Sequence, residues 1–430
     1  MTARSGSGRR EARLRVARRR GPAGSAGRPR VGLALAGGGP LGAVYELGTL
    51  AALSEALAGI DFNALDVYVG VSAGSFIAAG LANGVTPGEM CRMFVESDAH
   101  EQPFDPSVLL RPALREYARR IAAVPPVLLD VAWSYLSNPF AYGTLAPLAR
   151  LGRAIPTGIF DNQAIHRFLG RAFAEPGRTN DFRKLAHELY LIATDLDSGA
   201  SVQFGAPGHD DVPISLAVQA SAALPGVFPP VEIGGRCYVD GALKKTLHAS
   251  VALARGAGLV LGINPLVPFD AHLPRPTGGR PEKLVEGGLP AVLAQTFRAI
   301  IHSRMQVGMR RYETEYPDSD IVLFEPNRND AEMFFTNIFS YASRRRLAEH
   351  AYQKTRKELL ERRHALAPVL ARHGIAIRVD VLTDSHRHLV KRHAPHKAPI
   401  AAKAAADRLT HCLDDLARWV ALAPAARRPG

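Results

Sequence analysis

The chain has 430 residues, 47% of them apolar and 22% charged, enough for one large globular domain or two ordinary ones. The formal net charge of +13 is concentrated at the ends. Residues 1–30 hold ten Arg against one Glu, and residues 381–430 hold nine Lys or Arg against four Asp. The net charge of residues 31–380 is therefore about −1. The body is therefore not expected to bind nucleic acid specifically, and attraction to anionic surfaces would come from the ends.

The three cysteines, Cys91, Cys237 and Cys412, are too few and too widely spaced for a zinc site or a disulfide framework, which favours a reducing compartment. The Arg-rich start has no apolar signal core. A transit peptide shares its composition, but we expect a disordered basic leader over residues 1–30. The uncharged stretch 67–85 contains glycines and polar residues, so it predicts a buried strand and helix rather than a membrane span. We expect a cytoplasmic protein with peripheral membrane association.

Strand and helix patterns alternate early in the chain. The unbroken apolar run 31–36 predicts a buried strand, and a helix is expected over residues 43–57. A second strand at 67–69 and a helix over 72–83 follow. This order predicts an α/β fold with three α/β/α layers and a mostly parallel central sheet.

Residues 100–157 have a different composition, with apolar pairs, prolines and the aromatic residues Trp133, Tyr135, Phe140 and Tyr142. We expect a helical insertion that covers the site or contacts a bilayer, where Trp and Tyr favour the interface. Extra packing in the core is an equally good explanation.

Two hairpins are predicted after the insertion. Residues 189–196 and 200–204 flank a turn at 197–199, and residues 231–233 and 236–239 flank the pair Gly234-Gly235, which two-residue hairpin loops favour. A helix capped by Asp161 precedes them. Further strands are expected at 259–264 and 321–324.

The chain beyond residue 290 has a helical pattern. A predicted apolar helix face comprises Leu293, Phe297, Ile300, Ile301, Met305, Met309 and Tyr312. A basic helix lined by Leu347, Ala351, Thr355 and Leu359 should stop near Gly374. We divide the chain into the leader 1–30, an α/β domain 31–255, a mostly helical extension 256–380 packed on the core, and a basic His-rich tail 381–430.

A serine stands between two glycines directly after the second predicted strand, in the sequence Gly70-Val71-Ser72-Ala73-Gly74. A strand that turns into a helix at G-x-S-x-G is typical of a nucleophile elbow, in which the turn leaves no room for flanking side chains. A buried serine in a glycine-rich turn is the alternative. The position between strand and helix favours Ser72 as a nucleophile.

The loop after the first strand contains Gly37, Gly38, Gly39 and Gly42. Its spacing fits the dinucleotide fingerprint, but that function requires an acidic residue closing the second strand, where this chain has the Ser72 turn instead. In acyl transfer the same backbone amides, at a helix N-terminus, would bind an oxyanion or a lipid phosphate.

Asp240 is the best candidate for the general base. It ends a predicted strand and is followed by Gly241 and Ala242, although a turn aspartate or helix cap would have the same pattern. His248 is expected on the solvent side of a helix that starts near Leu243. A carboxylate acts as a base only when ionised, so we expect hydrogen-bond donors around Asp240.

These motifs together resemble the patatin-like phospholipase family. Its three signatures, G-G-G-x-x-G, G-x-S-x-G and D-G-A, occur here in family order at 37–42, 70–74 and 240–242, with supporting likeness at 191–196 and 220–230. The resemblance covers residues 31–255. Two positions depart from the family: Leu41 replaces a frequent Arg or Lys, which removes a phosphate contact, and Ala36 stands where some relatives carry Asp.

The resemblance implies a lipid acyl hydrolase that cleaves (phospho)lipid esters with a Ser72–Asp240 dyad, through an acyl-enzyme, and needs no metal or cofactor. The oxyanion hole would comprise Gly37, Gly38, Gly39 and Gly42. The implied partners are a lipid substrate and an anionic membrane surface. The alternatives are a non-catalytic lipid-binding protein of the same fold and a dinucleotide-binding protein.

Overall fold

The computed structural model describes residues 29–96, 106–137, 155–270, 273, 283–335 and 341–389. The strands are β1 (Val31–Leu35), β2 (Leu57–Ala58), β3 (Val67–Val71), β4 (Glu188–Asp195), β5 (Ser201–Phe204), β6 (Val231–Ile233), β7 (Arg236–Asp240), β8 (Leu259–Ile263), β9 (Asp320–Phe324) and β10 (Ala376–Ile377). The α-helices are α1 (Gly39–Ala56), α2 (Ala73–Ala82), α3 (Pro87–Cys91), α4 (Leu114–Ser137), α5 (Gln163–Ala172), α6 (Ile214–Ser221), α7 (Ala249–Ala254), α8 (Gly288–Glu315), α9 (Ala331–Phe335), α10 (Tyr341–Ala371) and α11 (Val379–Thr383).

The predicted α/β fold is confirmed. Eight strands form one sheet in the order β6-β7-β4-β3-β1-β8-β9, with β5 also paired to β4. The strands from β4 through β3, β1 and β8 to β9 are parallel, whereas β5, β6 and β7 add antiparallel pairs. β1, β3 and β8 are buried at every residue, as their unbroken apolar sequences require.

The register of the sheet brings the ends of β1, β3, β4 and β7 to the same level at one edge. The pairs at this edge are Leu35 with Gly70, Val71 with Ile192, and Ala193 with Asp240. Ser72, the next residue after β3, is therefore level with the β4 residue that pairs with Asp240. Gly37 follows β1 at the same edge, where parallel sheets commonly bind ligands.

The C-terminal extension is part of this sheet. β8 pairs with β1 along its whole length, and β9 pairs with β8. Helix α10 packs along α1, where a methyl group at Gly48 would lie 2.4 Å from the carbonyl oxygen of Ala348. The close approach of the two helices thus depends on a glycine.

Helix α8 does not bury the single apolar face that we predicted. Ile301, Met305, Met309 and Tyr312 are buried, but Leu293, Phe297 and Ile300 are 45–50% exposed. The apolar residues cover about half of the helix circumference, so packing on a sheet buries only one side of them. The four residues predicted to line the basic helix are all buried in α10, and Gly374 follows with φ 74°.

Parts of the prediction fall outside the described residues. They are the leader up to residue 28, Phe140, Tyr142 and the tail from residue 390. The nine described residues of the predicted tail pack on the body, and the backbone amide of Leu389 donates to Glu349 (2.8 Å). Among the described helices, none combines the length and apolar character that crossing a membrane requires.

Glu46 is a buried acid on the inner side of α1. Its exposed fraction is 0%, and neither carboxyl oxygen has a hydrogen-bond partner among the described residues. Burial raises the pKa of Glu46 well above its ordinary value, because the charged form loses its hydration. Folding therefore favours the protonated carboxyl, while the unfolded chain releases the proton near the ordinary glutamate pKa.

The substitution Glu46→Gln is expected to stabilise the protein increasingly as the pH rises. Above the unfolded pKa of about 4.3, ionisation of Glu46 favours the unfolded state until the pH exceeds the raised folded pKa. The difference in melting temperature between variant and wild type should therefore grow as the pH is raised from about 4 towards neutral. Glu361→Gln on α10, at a side chain 65% exposed, is the control. A constant difference across this range would contradict the buried, protonated state.

Candidate active site

Ser72 occupies a sharp turn between β3 and α2. Its φ of 53° makes it the single non-glycine residue with positive φ in the described part of the chain, as expected for a strained elbow. A methyl group at Gly70 would lie 2.5 Å from Ser75 Cα, and one at Gly74 would lie 2.5 Å from the carbonyl oxygen of Ala36. Both flanking positions of the motif therefore exclude a side chain.

Ser72 and Asp240 are close enough to interact. The Ser72 hydroxyl lowers the pKa of the Asp240 carboxyl, and the backbone amide of Ala242 donates to Asp240 Oδ1 (2.8 Å). The exposed fractions of Ser72 and Asp240 are 8% and 2%. Gly241 lies directly against β4, where a methyl group would be 2.4 Å from the Ile192 carbonyl oxygen.

The environment of Asp240 is drier than we expected. Burial raises the pKa of Asp240 to about 6, and the Ser72 hydroxyl and the Ala242 amide only partly offset this effect. Asp240 is therefore mostly ionised at neutral pH yet more basic than an exposed carboxylate, which suits a general base.

The glycine loop lies beside Ser72. A methyl group at Gly37 would be 3.1 Å from Ser72 Cβ and 3.0 Å from Ala242 Cβ. Helix α1 begins at Gly39, four residues earlier than predicted, so Gly39 and Gly42 belong to its first turn. The Gly42 amide donates to the Gly38 carbonyl oxygen (3.0 Å), so it is not free to bind an oxyanion as predicted. The amides before it in the turn have no intrahelical acceptor and form the positive end of the helix dipole, so this loop can stabilise an anion next to Ser72.

Ser221 is a site residue that the sequence analysis missed. The backbone amide of Ser72 donates to Ser221 Oγ (2.9 Å), and Ser221 Oγ donates to the Ile192 carbonyl oxygen (2.6 Å). The same segment also holds Asp240 in place, because the Asp240 backbone amide donates to the carbonyl oxygen of Ala223 (2.9 Å). The resemblance at 220–230 was the only sequence signal for this role.

His248 is not where we expected it. It precedes α7 as its N-cap and is buried, rather than lying on the solvent side of a helix. Burial, reinforced by the charge of Lys245, lowers the pKa of His248 to about 3, and the backbone of Lys245 and Gly241 offsets only part of this shift. The Ser72 hydroxyl interacts with Asp240, which favours the carboxylate over His248 as the base.

Two other ligand types find little support in this site. β3 ends at the Ser72 turn, without the acidic residue that a dinucleotide ribose requires. In the described ranges, no group of three or more His, Cys, Asp or Glu residues is arranged to bind a metal ion.

Comparison with known proteins gives a family match and several distant relatives. Residues 33–253 match the family model described as patatin-like phospholipase. An uncharacterised NTE family protein of Mycobacterium tuberculosis (strain CDC 1551 / Oshkosh) is 26% identical over 234 residues, which are 54% of this chain and 30% of the relative. The chain thus spans 30% of the length of the curated relative that it matches.

Similar solved structures include VipD from Legionella pneumophila, with 13% identity and a TM-score of 0.30 over 79% of this chain and 78% of that chain. ExoU from the type III secretion system of Pseudomonas aeruginosa, in complex with SpcU, has 15% identity and a TM-score of 0.27 over 86% and 72%. Human GIVD cytosolic phospholipase A2, in complex with methyl gamma-linolenyl fluorophosphonate, has 14% identity and a TM-score of 0.32 over 81% and 60%.

If Asp240 is the base, turnover of a soluble short-chain ester should fall at acid pH with an apparent pKa of about 6 in kcat/KM, because protonated Asp240 cannot accept the Ser72 proton. The measurement is a pH–rate profile of the wild type and of His248→Gln. The variant should keep the same acid limb, because neutral His248 does not titrate in this range. Loss of the limb in His248→Gln would assign the titration to the histidine.

Proposed function

The chain belongs to the patatin-like phospholipase family, and from this membership we propose that it hydrolyses lipid carboxylic esters, phospholipid esters among them, through an acyl-enzyme on Ser72. The observation that carries the proposal is the position of the strained Ser72 elbow beside buried Asp240, with which its hydroxyl interacts, next to the glycine loop. The proposed activity needs no metal and no cofactor.

In the first half-reaction, Ser72 Oγ bonds to the ester carbonyl carbon while its proton passes to Asp240. The carbonyl oxygen becomes an oxyanion, which the amides of Gly37, Gly38 and Gly39 stabilise, with the α1 dipole behind them. The tetrahedral intermediate collapses, the C–O bond to the alcohol breaks, and the alcohol takes the proton from Asp240.

In the second half-reaction, Asp240 accepts a proton from water as the water oxygen attacks the acyl-Ser72 carbonyl. The bond to Ser72 Oγ then breaks, Ser72 recovers its proton, and a fatty acid is released. A non-catalytic lipid-binding protein would retain the same fold, and measured turnover distinguishes it from the enzyme.

Ser72→Ala and Asp240→Asn should each lower kcat on a soluble ester by about 10⁴-fold, and the double variant should be no worse, because the two side chains act as one unit. Each variant should unfold cooperatively, as seen by thermal melting. Near-normal turnover in Asp240→Asn would exclude the dyad. An inactive wild type that still binds lipid vesicles would favour the non-catalytic alternative.

Helix α4 has its polar side towards the protein and an apolar side towards solvent. Glu116, 3% exposed, accepts hydrogen bonds from Arg120 Nε (2.8 Å) and Thr157 Oγ1 (2.9 Å). Burial alone would raise the pKa of Glu116, but the bonds from Arg120, Arg119 and Thr157 outweigh it and lower the pKa to about 2. The outward stripe consists of Leu114, Ile121, Leu128, Leu129 and Trp133, which are 51–72% exposed.

The start of α4 is connected to the site by backbone hydrogen bonds. The Ala113 amide donates to the Ile159 carbonyl (3.0 Å), and the Ile159 amide donates to the Val227 carbonyl (3.0 Å). Val227 belongs to the segment whose Ala223 carbonyl accepts from the Asp240 amide. The start of α4 is therefore tied to the segment that binds the backbone of Asp240.

We propose that this outward stripe binds an anionic lipid surface. Arg115 and Arg119 are exposed on the same helix and would lie near lipid head groups, each contributing about 1 kcal/mol close to the surface. Leu129 and Trp133 would enter the interfacial layer, where amphipathic helices and tryptophan favour binding.

Replacing Leu129 and Trp133 together by Ser should reduce hydrolysis of phosphatidylglycerol vesicles by about tenfold or more, because burial of two large side chains is lost. Turnover of a soluble short-chain ester should change little. Val379→Ser, at a side chain 44% exposed on α11, is the control. Equal losses on both substrates with a lowered melting temperature would show that the stripe is core packing.

A further inference from the structure

The glycine loop is in contact with a corner of the chain outside the family match. The Pro265 ring lies across the first turn of α1: a methyl group at Gly38 would be 2.7 Å from Pro265 Cγ, and one at Gly42 would be 2.9 Å from the same atom. The amide of Gly42 donates to the Gly38 carbonyl oxygen (3.0 Å). Pro265 thus packs against both ends of the hydrogen bond that closes the loop.

Asn264 fixes the position of this proline. It is completely buried, and its backbone amide donates to the Phe324 carbonyl oxygen (2.9 Å) at the end of β9. Its side-chain nitrogen donates to Glu325 Oε1 (2.6 Å) and lies 3.1 Å from Met305 Sδ of α8. Its side-chain oxygen accepts from the Leu266 amide (3.1 Å).

The sheet register explains how these groups meet. Ile263, the last residue of β8, pairs with Leu35 of β1 on one side and with Phe324 of β9 on the other. The next residues along β8 and β9 are Asn264 and Glu325, which are therefore neighbours beyond the sheet edge. The Ala36 amide also donates to the Ile263 carbonyl oxygen (3.1 Å), so the chain entering the glycine loop is bound to β8.

A glycine loop has no side chains with which to define its own conformation. Its amides can stabilise an oxyanion only if neighbouring groups hold them in place before the reaction, and small displacements are costly. Pro is suited to this task because its ring is rigid and its φ is fixed.

We infer that Asn264 and Pro265 form a clamp that positions the oxyanion loop, and that Glu325 orients the clamp. The inference rests on the proposed function for its effect on turnover, while its effect on the loop itself is independent of any reaction. The three residues are positioning residues, supplied by the extension rather than by residues 33–253.

Pro265→Ala removes the ring and keeps the backbone. On a soluble ester it should lower kcat about tenfold with KM little changed, because the oxyanion contact matters mainly in the transition state. Hydrogen exchange of the Gly42 amide should become faster, since the proline no longer packs across its hydrogen bond. Ile321→Val, a buried deletion of one methylene in β9, is the stability control and should leave both quantities as in wild type.

Glu325 provides a second test with a conservative rescue. Glu325→Gln retains an oxygen for the Asn264 side chain and should keep most of kcat, whereas Glu325→Ala should behave like Pro265→Ala in kcat and in Gly42 exchange. Unchanged exchange at Gly42 in Pro265→Ala would overturn the clamp, whatever happens to turnover. If the wild type hydrolyses no ester but Pro265→Ala still exchanges faster at Gly42, the proposed function fails and the clamp stands.

Discussion

The hydrogen-bond register between β3, β4 and β7 is the constraint on which the candidate site depends. Ser72 and Asp240 are 168 positions apart in the numbering, and they meet because each stands at the same level of β4, one on either side. A slip of one residue would turn every side chain of a strand to the opposite face. β4 is buried on both faces over most of its length, so such a slip would force each side chain into packing shaped for a different one, and close packing thereby fixes the geometry of a polar site.

Two buried carboxyl groups in this fold illustrate how local donors decide protonation. Glu46 and Asp240 are both almost inaccessible to solvent, and burial raises both pKa values. Asp240 also accepts a hydrogen bond from the Ala242 amide and interacts with the Ser72 hydroxyl, and both keep its pKa near 6. Neither carboxyl oxygen of Glu46 has a hydrogen-bond partner within the described residues, so burial raises its pKa well above the ordinary value. A carboxyl group that is only buried tends to stay protonated and cannot act as a base. The amide that the D-G-A turn donates to Asp240 helps to keep this carboxyl ionised.

The sequence predicted those features that local sterics determine. The G-x-S-x-G turn, the Gly234-Gly235 hairpin and the buried central strands each require particular residue types at fixed spacing, and the structure has all three. Periodicity could not show which side of a broad apolar helix packs, and α8 buries only one side of its predicted face. The environment of His248 was missed because burial depends on distant elements.

Contacts made by ordinary residues at long sequence separation were also invisible in the sequence. Ser221 supports the elbow through its hydroxyl, and Pro265, which follows buried Asn264, contacts the glycine loop, yet none of these residues belongs to the three signature motifs. Their roles follow from the order of strands in the sheet, which the sequence patterns do not reveal. A motif therefore identifies the reacting groups, while the groups that position them must be found in the fold.

The position of β8 shows why the extension is inseparable from the site. The family match ends at residue 253, but β8 pairs with all five residues of β1, the strand that leads into the glycine loop. Without β8, β1 would become an edge strand with unpaired backbone groups on one side, and the Ala36 amide would lose its acceptor. The same strand pairing that completes the hydrophobic core thus determines the start of the loop on which an oxyanion would depend.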